Sequence, residues 1–82
     1  MQTINRQLTA SQTNWLIDPP KKPFRCEVQI RYNSPSVPAI VRIHDDERLS
    51  VQFDDPCYGV APGQAVVCYE GTRVLGGGWI DT

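Results

Sequence analysis

The chain reads as all-β, a small six-stranded antiparallel β-barrel. Three observations carry this reading. Phe24 to Arg31 alternates cleanly, with Phe24, Cys26, Val28 and Ile30 on one face and Arg25, Glu27, Gln29 and Arg31 on the other. That period of two belongs to a strand with one face in a core and one in water. No segment supports a helix of three turns. Short β-rich runs recur at roughly 8–15-residue spacing with glycine and proline between them. Six such runs in 82 residues suit a closed or nearly closed barrel, which also removes exposed strand edges.

The first strand is placed at Thr3–Leu8, where Ile4, Arg6 and Leu8 fall at period two. Ser11 to Thr13 is polar and turn-like. Asn14 to Ile17 is too short for a helix and reads as extended chain or a single turn, with Trp15 packed into the core. Asp18 to Pro23 holds Pro19, Pro20 and Pro23, which exclude helix and favour an extended connector carrying Lys21 and Lys22. The alternating strand follows, then a loop at Asn33–Ser36. Val37 to His44 is the third strand, with Ala39, Val41 and Ile43 on the core side. Pro38 is tolerated near its start. Asp45 to Arg48 is a charged turn, so the third strand and the fourth (Leu49, Val51 and Phe53 inward) pair as a hairpin. Asp54-Asp55-Pro56 ends the fourth strand. Pro62-Gly63 fits a type II turn. Ala65 to Tyr69 and Thr72 to Leu75 flank a tight hairpin turn at Glu70-Gly71. Gly76-Gly77-Gly78 then implies a bulge, a barrel corner or a close backbone approach.

A chain of this length makes one domain, residues 1–82, with a modest core. Its 40% hydrophobic and 21% charged content is that of an ordinary folded domain. No apolar run approaches the ~18–20 residues that span a bilayer, and Met1 to Arg6 lacks the apolar core of a signal peptide, so a cytoplasmic setting without membrane contact is expected. The net charge of −1 gives no global pull toward a polyanion, and nucleic-acid binding would need a local basic face. Three cysteines without a Cys-x-x-Cys pair support neither a disulfide framework nor a zinc site. Cys26 and Cys68 read as small buried hydrophobes and Cys57 as a more exposed loop thiol.

No catalytic set emerges. The single histidine, His44, stands beside a charged turn with no nucleophile and acid assigned to it. The carboxylates at Asp45-Asp46-Glu47 and Asp54-Asp55 read as solvated turn residues. The triple glycine lacks the following helix that a phosphate loop needs. What remains is a surface. Arg25 and Arg31 on the second strand, Arg42 on the third, and Lys21 and Lys22 before them could form one basic stripe, with Tyr32 at its edge for a stacked base. Alternatively Arg25 and Arg31 pair with Glu27 and acids of neighbouring strands on a solvated face.

A set of ordered motifs adds to this. Pro62-Gly63-Gln64, the apolar run ending in Tyr69, the Glu70-Gly71 turn and Leu75-Gly76-Gly77-Gly78 with its apolar tail resemble the C-terminus of bacterial tRNA-specific 2-thiouridylases. Asn14-Trp15, Pro23-Phe24-Arg25-Cys26, Ile30-Arg31-Tyr32 and Phe53-Asp54-Asp55-Pro56 match upstream in the same order. The resemblance spans roughly residues 3–80. It implies a six-stranded β-barrel similar to the second domain of translation elongation factors, the C-terminal domain of a longer, ATP-dependent enzyme that thiolates the wobble uridine (U34) of tRNA. The family's N-terminal Ser-Gly-Gly-x-Asp-Ser loop for ATP and its two catalytic cysteines have no counterpart here, and Cys26, Cys57 and Cys68 inherit no role from them. The resemblance therefore implies a non-catalytic, monomeric piece with no cofactor of its own. Its expected partners are tRNA and the N-terminal catalytic and central domains of the longer chain. Arg25 and Arg31 match family motifs, whereas Lys21, Lys22 and Arg42 rest on geometry alone. The alternative from the residues is a free-standing β-barrel interaction module without a nucleic-acid role, favoured by the near-neutral charge.

Overall fold

The computed structural model describes residues 4–18, 20–30, 35–44, 47–58 and 60–81. They form six strands: β1 (Ile4–Trp15), β2 (Phe24–Gln29), β3 (Val37–His44), β4 (Arg48–Tyr58), β5 (Ala65–Glu70) and β6 (Arg73–Ile80). Every pairing is antiparallel, and the order β1-β4-β3-β2-β5-β6 closes into a barrel. The all-β barrel expected from the sequence is the observed fold.

Alternation fills the interior. Leu8 and Ala10 of β1, Val28 of β2, Ala39 and Val41 of β3, Leu49, Val51 and Phe53 of β4, Val66 and Cys68 of β5, and Leu75 and Ile80 of β6 are buried. Every strand contributes, so the barrel is packed with side chains rather than hollow. Trp15 and Phe24 pack against this core from one side, ring to ring at 6.1 Å in an edge-on arrangement. The predicted hairpin of β3 and β4 is present, in register from Ala39↔Phe53 to His44↔Arg48. Ala61 accepts a hydrogen bond from the Gln64 N–H at 3.4 Å, and Gly63 lies at φ 88°, as a type II turn requires.

Three expectations about boundaries are overturned, each for a local reason. β1 runs on to Trp15 instead of stopping at Leu8, and it closes the barrel by pairing with β4 up to Ala10 and with β6 from Ala10 onward. The polar Ser11–Thr13 segment is a bulge inside that strand, not a turn. Gln12 takes φ 52°, the register shifts between Ser11 and Asn14, and the Thr13 N–H and hydroxyl both donate to the Glu47 carbonyl, at 3.2 and 3.0 Å. A second shift, between Asn5 and Gln7, accompanies an Arg6 that is exposed although it shares the parity of buried Leu8. β4 likewise passes through Pro56 to Tyr58. Its ladder to β3 ends at Phe53, and β1 skips this stretch at its own register shift, so the proline removes no ladder hydrogen bond. Finally, the hairpin turn between β5 and β6 is Gly71-Thr72, with Glu70 paired to Arg73 and Gly71 at φ 62°.

The triple glycine lies within β6. Gly76 is opposite both Trp15 and Cys68, and Gly77 opposite both Asn14 and Val67. A side chain on Gly77 would collide with the Val66 carbonyl, and one on Gly78 would sit 2.8 Å from the Ser11 carbonyl oxygen. Close approach of flanking backbone is therefore what these glycines serve. Trp79 is 52% exposed on the outside of the barrel.

Candidate nucleic-acid interface

The outward face of β2, β3 and β4 carries Arg25, Arg42 and Arg48. Arg25 of β2 stands in register with Ile40 of β3, and Ile40 with Gln52 of β4. Arg42 lies two residues further along β3, diagonal to Arg25. With strands ~4.8 Å apart and ~3.4 Å per residue, their Cα atoms are roughly 8 Å apart. Arg42 is opposite Ser50, and Arg48, two residues before Ser50 on β4, is opposite His44. Arg25, Arg42 and Arg48 therefore make a diagonal across three strands, and all three are exposed. Lys21 and Lys22, also exposed, lead into β2 just before Phe24.

Arg48 was not among the sequence candidates, because it reads as part of a charged turn. The parity of Leu49 and Val51, both inward, would have placed it on the outward face with Ser50. His44 is exposed on the same face, its Nε2 3.1 Å from the Ser50 hydroxyl. Arg31 and Tyr32 lie outside the described residues, as do Asp45 and Asp46 and the Cys57 side chain.

Arg25 does pair with an acid, but not with Glu27. Its guanidinium donates to the Asp54 carboxylate on β4, reaching over β3. The two side chains are 60% and 32% exposed, and pairs of that kind contribute about 0–1 kcal/mol. A phosphate can therefore replace Asp54 at small cost, and Arg42 and Arg48 are set further from that acid. Beside Arg25 is a depression of about 380 Å³ lined by Cys26, Glu27, Pro38, Tyr69 and Glu70. Its charges oppose one another, and the Tyr69 hydroxyl donates to Gln29 Oε1 at 3.1 Å.

Among the described residues no group of three His, Cys, Asp or Glu side chains could hold a metal ion. The glycines of β6 lie within a strand, against the backbone of β1 and β5. Among the described residues no helix is long and apolar enough to cross a membrane.

Cys26 and Cys68, on adjacent strands, form the remaining polar pair. The Cys68 thiol is pushed up, first by its hydrogen bond with Cys26 and then by burial; that bond, with Cys68 as donor, holds the Cys26 thiol below its ordinary range. Only a thiolate is nucleophilic. In a Cys57→Ser background, Ellman's reagent at neutral pH should modify Cys26 in the folded protein and Cys68 only after denaturation. Equal rates would refute the pairing. The raised Cys68 value gives stability that is fully present below the unfolded thiol pKa of ~8.5 and is lost as pH rises above it.

The comparisons with known proteins agree with one another. A family model described as "Aminomethyltransferase beta-barrel domain" matches residues 5–80. The chain is 42% identical over 74 residues to the tRNA-specific 2-thiouridylase MnmA of Syntrophotalea carbinolica, covering 90% of this chain and 21% of that protein. With the protein of the same name from Thermosynechococcus vestitus it shares 47% over 78 residues, 93% of this chain and 21% of the relative. With that from Picosynechococcus sp. it shares 46% over 76 residues, 92% and 22%. The chain thus spans about a fifth of the length of the curated relatives it matches.

Proposed function

The chain belongs to the aminomethyltransferase β-barrel domain family, and on that premise we propose that it is the tRNA-positioning C-terminal barrel of a 2-thiouridylase. In this reading the rest of the longer protein binds ATP and thiolates the wobble uridine. The barrel holds phosphate and sugar of the tRNA so that the base stays in reach of that chemistry. The observation that carries the proposal is the diagonal of Arg25, Arg42 and Arg48 across the outward face of β2, β3 and β4, with Lys21 and Lys22 beside it. Exposed cations in a row suit phosphates, which position an RNA without reading its sequence. The matching of the chain to part of a much longer tRNA-modifying protein supports the same reading.

The test is the salt dependence of tRNA binding. Unmodified tRNA should bind at low salt and weaken as salt rises, because each neutralised phosphate releases counterions. Arg42→Gln together with Arg48→Gln should flatten the plot of log affinity against log salt by roughly 2, about 1 per phosphate contact. An unchanged slope would refute the interface and favour a protein-interaction module, the reading to which the near-neutral charge points.

A further inference from the structure

The side of the barrel away from Arg25, Arg42 and Arg48 carries an apolar patch. Among the described residues, the large hydrophobic side chains left exposed are Leu16 at 68%, Val74 at 38% and Trp79 at 52%. All three line one groove of about 280 Å³, centred on β6 and floored by Gly77. Pairing explains why they converge. β6 lies between β1 and β5, with Gly76 opposite Trp15 and Trp79 opposite Ala65, and the Leu16 N–H donates to the Leu75 carbonyl at 2.8 Å. The glycines put no side chains between the three apolar ones, so the groove is concave.

We propose that this groove is the surface on which the barrel docks onto the remainder of a 2-thiouridylase chain, through an uncharged apolar protuberance of that remainder. The inference rests on the reading above that the barrel belongs to such an enzyme. Three observations select this occupant. No lysine, arginine, aspartate or glutamate lines the groove, and Gln12 and Asn14 are its polar side chains besides backbone, so it offers nothing to a phosphate. Apolar side chains gathered in one patch, rather than scattered singly, mark a protein contact. The relatives are about five times as long as the matched segment, so a large body of protein accompanies the barrel in each of them. Closure of the barrel leaves no free strand edge here, so the contact is side chain to side chain, with Trp79 as its anchor. The barrel then acts as a bridge, apolar on β6 toward the enzyme and basic on β2, β3 and β4 toward tRNA.

Hydroxyl-radical footprinting of Trp79 tests this. Its oxidation rate is compared between the isolated chain and a chimera in which the chain replaces the homologous fifth of the Picosynechococcus relative. Half-buried Trp15 serves as the internal reference. Trp79 should be protected several-fold in the chimera without tRNA, and Leu16→Ser with Val74→Ser should restore its reactivity. If the chimera does not fold, the remaining four fifths of the relative added in trans to the isolated chain gives the same readout. Equal Trp79 rates with and without the remainder would overturn the proposal. So would protection that requires tRNA, or protection of the isolated chain that tracks a dimer in sedimentation. Binding of tRNA through Arg42 and Arg48 is measured on the isolated chain, so its failure and the failure of docking are separate results.

Discussion

Gly77→Ala is expected to lower the melting temperature by more than ~10 °C, the largest effect of any single methyl added to this chain. The new Cβ would fall on the Val66 carbonyl, a backbone atom held by the β5–β6 ladder. Gly77 is also paired on its other side, with Asn14 of β1. The strand therefore cannot retreat from β5 without disturbing β1, and the barrel closes through β1. Overpacking costs about 1–3 kcal/mol where side chains can yield. Here backbone must move, so the upper end applies, and ~3 kcal/mol corresponds to about 12–24 °C in a domain of this size. Gly71→Ala is the control. Gly71 has φ 62° and open space around its hydrogens, so alanine there meets only the left-handed penalty of ~1–2 kcal/mol. If Gly77→Ala melts no lower than Gly71→Ala, the close approach of β5 to β6 is wrong.

That contrast also marks what the sequence could express. The triple glycine announced a close approach, but not which strands approach, since that depends on pairing between residues far apart in the chain. The alternating runs of β2, β3 and β4 were legible because one face meets the core and the other meets water. The course of β1 was not. Ser11, Gln12 and Thr13 carry the composition of a turn, and only the Glu47 carbonyl, offered just before neighbouring β4 and distant in sequence, holds them in a bulge. Pro56 misled for a related reason, because a proline stops a strand only where a neighbour needs its N–H. At the candidate interface, Arg25 and Arg42 were readable from parity, whereas Arg48 was hidden in a run of charges.

Leu49→Ala is expected to remove about 2–5 kcal/mol of stability, the range for buried leucines whose cavity does not collapse. Leu49 is fully buried and sits where three strands meet, opposite Ala10 of β1 and Ile43 of β3. Ala10 is too small to fill the space, and the closed ladder keeps β1, β3 and β4 from moving together. An 82-residue domain is stable by about 4–12 kcal/mol at ~0.05–0.15 kcal/mol per residue, so this single truncation removes at least about a sixth of the total. Urea unfolding is the measurement, and the midpoint should fall while the slope holds, since the surface exposed on unfolding barely changes. Leu16→Ala supplies the comparison at equal chemistry. At 68% exposure Leu16 loses little on truncation, and its stability should change by less than ~0.5 kcal/mol. A midpoint as low as that of Leu49→Ala would mean that Leu16 is already covered in the isolated barrel. The groove beside Trp79 would then be part of the core, not a surface kept open for the rest of an enzyme.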